Sequence, residues 1–193
     1  MPSLPIQSLP TVVVLASGRG ERFAASGGTQ HKLRAPLAGV PVLERTLAAV
    51  RASGLPWHLE DAGHPGMGDS IAAAVRATSD AAGWLVLPGD LPLVQPGTLR
   101  AMAHALAAGD CDVALPVVHG TRGHPVAFAA ACGAALAALS GPQGAAAVVQ
   151  AARRAGRLRD VVLDDVGAIT DIDTLDDLNN AEALLARLNP PAA

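Results

Sequence analysis

The sequence has few aromatic side chains: two Phe, two Trp and no Tyr among 193 residues. Hydrophobic residues still make up 50% of the chain, and alanine is the most frequent of them. Small aliphatic side chains must therefore fill the core, which favours helices packed closely on a sheet. The length is typical of one domain, which we expect to span residues 11–188. Residues 1–10 and 189–193 are predicted to be flexible termini.

Cysteines, runs of basic residues and long apolar runs are also scarce. Cys111 and Cys132 are far apart, fit no metal-ligand spacing and are expected to be free thiols in a reducing compartment. The formal net charge of −3, with no basic run, argues against a nucleic-acid partner held by its backbone. No apolar run approaches the roughly 20 residues of a membrane span, and the N-terminus does not resemble a signal peptide. These absences predict a cytoplasmic protein without a membrane or nucleic-acid partner.

Apolar runs and helical periodicity alternate along the chain. Runs rich in β-branched residues predict strands that are buried on both faces of a parallel sheet. The predicted strands are residues 11–16, 57–60, 84–87, 113–118, 126–129, 160–163 and 170–172. The predicted helices are residues 42–52, 69–82, a segment around 99–106, 130–139, 145–155 and 175–188. This alternation predicts an α/β fold with a mainly parallel sheet, in which ligands bind at the carboxyl ends of the strands.

A glycine-rich loop over residues 17–30 follows the first predicted strand. Gly18 and Gly20 would let backbone N–H groups approach phosphate oxygens closely. The positive charges of Arg19, Arg22 and Lys32 suit a triphosphate, although the segment could also be a flexible turn with solvated charges. Phe23 stands where a dinucleotide-binding fingerprint needs its third glycine, and no Gly-Lys-Ser/Thr sequence marks a P-loop.

Acidic residues follow two other strands. Asp90 lies between Gly89 and Pro92 after a buried strand, where it could cap a helix or bind Mg²⁺ together with substrate phosphates. We favour the metal. Asp171 and Asp173 alternate along an extended segment and therefore point to opposite sides. One of them can join Asp90 on the metal, and Asp173 is preferred.

Two further loops allow a functional and a structural interpretation about equally. Arg122, which lies beside two glycines, suits an anionic substrate, and His124 could transfer a proton or only hold its loop. Residues 66–70 enter a helix, where Asp69 or Ser70 could cap it and exposed N–H groups could meet a ligand.

Seven segments, taken in order, resemble the molybdenum cofactor cytidylyltransferase family, which belongs to the MobA-like NTP transferases. The segments are LASGRGERF, HKLRAPLAGVPVLERTL, GMGDS, LPGDLPLV, GTRGHPVAF, LSGPQGAAAVV and DIDTLDDL. The resemblance covers residues 12–185. It implies a three-layer Rossmann-like nucleotidyltransferase fold that transfers CMP from CTP to molybdopterin with release of pyrophosphate. It also admits a molybdoenzyme or its chaperone as a further partner.

The resemblance also implies roles for individual residues. Lys32 and Asp90 would be catalytic, Arg122 and His124 would face the pterin substrate, and Asp90 would hold Mg²⁺ with Asp173 or Asp171. The nucleotide-binding set would be Leu15, Ala16, Ser17, Gly18, Arg19, Gly20, Arg22, Lys32, Gly66, Ser70 and Gly89.

The sequence departs from the family pattern at three places. Ser17 stands where Ala or Gly is usual, and His31 stands where Asn usually precedes the lysine. The stretch between Leu47 and Gly66 is one strand–helix unit short, since such crossovers take at least a dozen residues. Two alternatives remain open: a related nucleotidyltransferase with another base or phosphorylated acceptor, and a non-catalytic nucleotide or cofactor carrier.

Overall fold

The computed structural model describes residues 9–188. The strands are β1 (Thr11–Leu15), β2 (Pro36–Leu37), β3 (Val40–Pro41), β4 (Trp57–Glu60), β5 (Gly83–Pro88), β6 (Val113–Val118), β7 (Thr121–Arg122), β8 (Val126–Ala129) and β9 (Leu158–Val162). The helices are α1 (Glu21–Ala25), α2 (Val42–Ser53), α3 (Met67–Ala77), α4 (Pro96–Ala107), α5 (Gly133–Ala137), α6 (Ala146–Arg154) and α7 (Leu175–Leu188). Short 3₁₀ turns occupy Lys32–Arg34, Ala130–Cys132 and Val166–Ile169.

Seven strands form the central sheet in the order β4-β1-β5-β8-β6-β7, with β9 paired to β6. β1 is parallel to β4 and β5, while β8 lies antiparallel between β5 and β6, and β9 is parallel to β6. Strands β1, β4, β5, β6 and β9 therefore run in the same direction, and their carboxyl ends meet at one edge. The predicted α/β fold with a mainly parallel sheet is confirmed.

Alternate side chains of the central strands pack on opposite faces of the sheet. In β1, Val12 and Val14 join α2 and α4 in one apolar cluster, whereas Val13 joins α3 in another. β5 does the same, with Leu87 on the first face and Trp84 on the second. Burial on both faces explains why these strands read as continuous apolar runs.

The chain passes from α2 to β4 through only three residues. Gly54, with a left-handed φ of 73°, ends α2, and β4 then pairs directly with β1 at the end of the sheet. The short connection that the sequence indicated thus leaves β4 as an edge strand beside the first loop of the site.

Three predicted elements differ in the structure. Residues 170–172 do not form a strand, because the N–H of Ile172 donates to the carbonyl of Asp90 at 3.0 Å and Thr170 closes a 3₁₀ turn. The predicted loop at 17–30 contains the short helix α1, whose Phe23 is buried. The helix expected over 130–139 divides into a 3₁₀ turn and α5. The predicted flexible termini lie outside the described residues, apart from residues 9 and 10.

Candidate active site

A cavity of about 750 Å³ opens at the carboxyl edge of the sheet. Its walls come from the loop after β1, the start of α3, the turn after β5, the β7–β8 connection and the segment before α7. The lining includes most residues that the sequence suggested for the site: Leu15, Ser17, Gly18, Arg19, Gly20, Arg22, Lys32, Gly66, Ser70, Asp90, Arg122, His124, Asp171 and Asp173. The structure therefore brings together segments that are far apart in the chain.

Lys32 lies between two carboxylates in this cavity. Its Nζ donates to Oδ2 of Asp90 at 2.6 Å and to Oδ1 of Asp173 at 2.7 Å. Arg22 contacts the other oxygen of Asp173 at 2.6 Å. Burial opposes the charge on Lys32, but the charge of Asp90 and the hydrogen bonds to both carboxylates outweigh it and raise the pKa of Lys32. The hydrogen bond from Lys32 lowers the pKa of Asp173, against an opposing effect of burial.

Buried neighbours fix the positions of Lys32, Asp90 and Asp173, the Lys32–Asp90–Asp173 cluster. Leu33, beside Lys32, and Ile172, beside Asp173, belong to an apolar cluster with Phe23 of α1. Asp90 is fixed by Gly89, whose N–H donates to the carbonyl of Leu15 at 2.9 Å. A Cβ at position 89 would lie 3.0 Å from that oxygen, so a larger residue would fit only if its neighbours shifted slightly. Sequence neighbours in the core thus hold the charged groups in register.

His31 connects the glycine loop to the lysine. Its Nδ1 accepts the N–H of Leu33 at 3.3 Å, so its Nε2 carries the proton that it donates to the carbonyl of Gly18 at 2.7 Å. Gly20 has a left-handed φ of 67°, and an added Cβ there would lie 3.5 Å from Lys32. His31, which stands where the resembled family usually has Asn, therefore holds a defined position between the glycine loop and Lys32.

Two residues of the expected nucleotide-binding set stand behind the cavity wall. The N–H of Ala16 donates to the carbonyl of Glu60 at 2.8 Å, and Gly89 serves the β5–β1 contact. Both therefore support the loops that carry the lining residues.

Asp171 and Asp173 both line the cavity, but only Asp173 meets Lys32. Asp171 is exposed. Asp177 and Thr174 cap α7 reciprocally, since the carboxylate of Asp177 accepts the N–H of Thr174 at 2.7 Å and the hydroxyl of Thr174 accepts the N–H of Asp177 at 3.2 Å. Thr174 therefore serves as the N-cap of α7.

The start of α3 packs against the loop at Gly141. A Cβ at Gly66 would lie 2.4 Å from the Gly141 backbone, so only glycine allows this approach. Asp69 does not cap the helix, because its Oδ2 accepts the N–H of Gly141 at 2.9 Å. The hydroxyl of Ser70 donates to the carbonyl of Gly66 at 3.2 Å.

Arg122 and His124 form the far wall of the cavity. Arg122 makes a two-point ion pair with Asp160, at 3.3 and 3.0 Å, so part of its charge is already balanced. The ring of His124 is largely enclosed, and its Nδ1 has no hydrogen-bond partner among residues 9–188. Burial lowers the pKa of His124, although Asp90 and Asp171 act in the opposite sense.

Two residues near the cavity were not singled out from the sequence. His64 lines the wall between β4 and α3, and Glu60, at the end of β4, holds it through a 3.0 Å contact. The only local signal is the alternation of His58 and Glu60 on one face of a short strand. That signal is too weak to indicate a site before β4 is placed beside β1.

In the described part of the chain, no group of three or more His, Cys, Asp or Glu side chains is arranged to hold a metal ion. Among residues 9–188, no helix combines the length and apolar character that a membrane crossing requires.

Comparison with solved structures shows proteins of the same fold. Rv0371c from Mycobacterium tuberculosis superposes with a TM-score of 0.75 at 24% identity, covering 91% of this chain and 98% of that one. A structure of Rv0371c in complex with manganese gives a TM-score of 0.69 at 23% identity, covering 91% and 99%. These superpositions establish the fold, and the match to a transferase family model over residues 48–158 defines the class as a nucleotidyltransferase.

The model of the MobA-like NTP transferase domain matches residues 48–158, more than half of the chain. This protein belongs to that family. A molybdenum cofactor guanylyltransferase from Cupriavidus pinatubonensis is 27% identical over 197 residues, covering 90% of this chain and 96% of that protein. A 2-C-methyl-D-erythritol 4-phosphate cytidylyltransferase from Frankia casuarinae is 37% identical over 120 residues, which are 60% of this chain and 39% of that protein.

Proposed function

We propose that this protein transfers the nucleoside monophosphate of an NTP, with CTP preferred, to the terminal phosphate of molybdopterin and releases pyrophosphate, using Mg²⁺. The domain would be residues 11–188 acting as one unit. The observation that carries the proposal is the Lys32–Asp90–Asp173 cluster in the middle of a cavity bounded by the glycine loop. The kinship with a protein named as a molybdenum cofactor guanylyltransferase supports the acceptor.

The carboxylates suit a hard divalent cation. Oδ1 of Asp90 is buried without a hydrogen-bond partner among the described residues, although the same carboxylate contacts Lys32 through Oδ2. Mg²⁺ typically takes only one or two protein carboxylates and completes its shell with substrate phosphates and water. Asp90 and Asp173 would therefore hold it, without the third protein ligand that a self-contained site would need. When bound, Mg²⁺ supplies positive charge for the triphosphate and the departing pyrophosphate.

The protein itself would bind the two substrates, orient them for reaction and compensate their negative charge. The acceptor phosphate is anionic at neutral pH, so its oxygen can attack the α-phosphorus without a strong base. The new P–O bond forms as the bond to the β,γ-pyrophosphate breaks, and the electron pair leaves on the pyrophosphate. Lys32 and Arg22 offset the charge that develops there, and the glycine loop keeps the attack in line.

The two substrates would occupy opposite halves of the cavity. The loops after β1 and β4 lie on one side of Asp90, while Arg122 and His124 lie on the other, beyond β8 in the sheet order. The NTP would lie against the glycine loop and Gly66, and the anionic acceptor would face Arg122 and His124. This division leaves the α-phosphate beside Asp90 and Lys32.

A second candidate uses GTP as the donor. It is favoured by the relative of nearly equal length, which is named as a guanylyltransferase. The CTP proposal depends instead on residues 36–43, which resemble the cytidylyl branch. A change of base alters neither the acceptor nor the metal chemistry.

The test is pyrophosphate release with each of the four NTPs, with and without Mg²⁺, in the presence of molybdopterin, of another phosphorylated acceptor or of no acceptor. We expect release that depends on molybdopterin and on Mg²⁺ and is fastest with CTP. Faster release with GTP would replace the donor and keep the reaction. Release only with another phosphorylated acceptor would reject molybdopterin, and no release with any NTP would favour a carrier.

Asp90→Ala should abolish Mg²⁺-dependent pyrophosphate release while the protein remains folded. The reason is that Asp90 lines the cavity and that one of its oxygens is buried without a hydrogen-bond partner among residues 9–188. Asp176→Ala, on the exposed side of α7, is the control and should be fully active. Circular dichroism and a thermal melt would verify folding. Substantial Mg²⁺-dependent activity in Asp90→Ala would reject the metal assignment.

A further inference from the structure

His64 stands on the nucleoside side of the cavity. Strand β4 pairs with β1 so that Glu60 lies opposite Leu15, and the loop that follows β4 leads to α3. His64 lines the cavity on this loop, and the Lys32–Asp90 contact marks the phosphate end. If the triphosphate follows the glycine loop, as in the function proposed above, the base extends toward His64.

Glu60 ties the two loops of this side together. Its backbone carbonyl accepts the N–H of Ala16 at 2.8 Å and the hydroxyl of Ser17 at 3.2 Å. Its side chain is only 9% exposed, and Oε1 accepts the N–H of Ala62 at 3.2 Å. A buried carboxylate needs such donors, because its lone pairs have lost their water. The position of Glu60 is therefore fixed by both strands.

The contact between Glu60 and His64 fixes which ring nitrogen carries the proton. Nε2 of His64 lies 3.0 Å from Oε1 of Glu60. An ionised carboxylate can only accept hydrogen bonds, so Nε2 is the donor in this contact; in the tautomer with its proton on Nε2, Nδ1 has the lone pair. Within residues 9–188, no protein group is hydrogen-bonded to this Nδ1. A side chain of the cavity wall thus has one ring nitrogen held by Glu60, which leaves the other to accept a hydrogen bond.

We propose that His64 reads the base of the nucleotide: its Nδ1 accepts a hydrogen bond from an exocyclic amino group, and Glu60 positions it to do so. Cytosine presents its 4-amino group as a donor, whereas uracil presents an oxygen acceptor at the same place. Guanine likewise carries a 2-amino donor, which hypoxanthine lacks. The site therefore selects an amino-bearing base over its partner without the amino group, whichever of CTP and GTP is the donor.

Paired ligands test this directly. Dissociation constants for CTP and UTP, and for GTP and ITP, are measured by calorimetry on the full-length protein with Mg²⁺ and without acceptor. For the pair that contains the most tightly bound nucleotide, we expect the amino-bearing member to bind more tightly than the other by up to roughly tenfold, which is the value of a single hydrogen bond to a neutral group. Equal binding within that pair by the wild-type protein would overturn the proposal.

Variants distinguish a hydrogen bond between His64 and the base from simple packing of the His64 ring against it. His64→Ala should bring the ratio close to one, and His64→Phe, which keeps a ring without an acceptor, should do the same if the alanine variant is unstable. Glu60→Gln should lower or reverse the ratio, because an amide can donate to Nε2 and move the ring proton to Nδ1. His58→Ala is the control: its ring lies 3.6 Å from Glu60 but does not line the cavity, so the ratio should be unchanged.

The binding ratios are independent of turnover. An unchanged ratio in folded His64→Ala and His64→Phe would reject the role of His64, even if pyrophosphate release with molybdopterin establishes the reaction. A ratio that falls in these variants would support base reading by His64, even if no NTP gives pyrophosphate and the proposed reaction fails.

Discussion

Lys32 forms ion pairs with two carboxylates of the protein itself. Its side chain is 12% exposed and balances two carboxylates, Asp90 and Asp173. The raised pKa of Lys32 and the lowered pKa of Asp173 both contribute to the stability of the folded protein, and each contribution is lost at a different end of the pH scale. The contribution of Lys32 is present below pH about 10.4 and is lost as the pH rises through its folded-state pKa. That of Asp173 is present above pH about 3.9 and is lost as the pH falls through its folded-state pKa.

Lys32→Ala should weaken CTP binding by about 10- to 100-fold and CMP binding much less. A hydrogen bond to a charged group contributes about 1.5–3 kcal/mol, and CMP lacks the phosphates that we expect this lysine to contact. Calorimetry with both nucleotides measures the difference. Arg34→Ala, exposed on the same 3₁₀ turn, is the matched control. Equal losses for CTP and CMP would mean that Lys32 does not contact the β- and γ-phosphates.

His124 is a second residue whose environment predicts a measurable effect. Burial lowers the pKa of His124, while the carboxylates that act on it, Asp90 and Asp171, oppose the shift. Between the lowered folded-state pKa and about 6.5, the unfolded chain binds a proton that the native protein does not. The free energy of unfolding must therefore rise with pH across that window and level off above it.

His124→Gln should remove this part of the pH dependence. Urea denaturation of the nucleotide-free protein at several pH values between 5 and 8 measures it. We expect the wild-type protein to lose more stability than the variant as the pH falls below about 6.5. His104→Gln, which alters an exposed histidine on α4, should follow the wild-type curve. Parallel curves for the wild-type protein and His124→Gln would contradict the assignment.

At the scale of the elements, glycine allows the β7–β8 connection to reach the 3₁₀ turn before α7. A Cβ at Gly123 would lie 2.3 Å from the carbonyl oxygen of Ala168. In the same contact the N–H of His124 donates to that oxygen at 2.8 Å. The far wall of the cavity therefore depends on a backbone contact that leaves no space for a side chain.

Gly123→Ala should destabilise the protein by about 1–3 kcal/mol, the usual cost of forcing an extra carbon into a packed site. Gly97→Ala is the matched control, because nothing lies within 4 Å of its added Cβ in the first turn of α4. That change should be neutral or stabilising by up to about 1 kcal/mol. Urea denaturation of both variants gives the comparison, and equal effects would show that the contact at Ala168 can relax.

At the scale of the whole molecule, the sheet ends at β4, beside the loop that we assign to the nucleoside. A strand–helix unit beyond β4 would add a wall to this side of the cavity. Without it, water can reach groups that would otherwise be left unpaired by the wrong base, and the penalty that enforces selectivity becomes smaller. His64, which Glu60 contacts at 3.0 Å, is a polar side chain of the cavity wall at this edge.

CTP should be preferred over GTP, but by only about tenfold, because each neutral hydrogen bond contributes about 0.5–1.5 kcal/mol. Competition between the two nucleotides at equal concentration, read as the ratio of the products, measures this preference. Exclusive use of CTP would mean that the open edge does not affect selectivity. A preference for GTP would reverse the assignment of the donor.

The sequence by itself determined the class of fold and the segments that carry the site. Apolar runs such as residues 11–16 and 84–87 indicate strands buried on both faces, and the glycines and aspartates after them indicate the ligand-binding edge. These signals are local, since the pattern of side chains along a strand or helix reports which faces are buried. The number of residues between Leu47 and Gly66 also predicted that the connection between α2 and β4 is short.

Only the tertiary structure decided which side chains meet. Lys32 lies 58 residues from Asp90 and 141 from Asp173, and no local pattern distinguishes Asp173 from Asp171 as its partner. The order of the strands brings β4 beside β1 and thereby places Glu60 and His64 at the cavity. The docking of residues 170–172 on Asp90 replaced the strand that their apolar pattern predicted. Such contacts depend on long-range packing, in which strand order and buried neighbours such as Leu33 and Ile172 set the direction of each charged group.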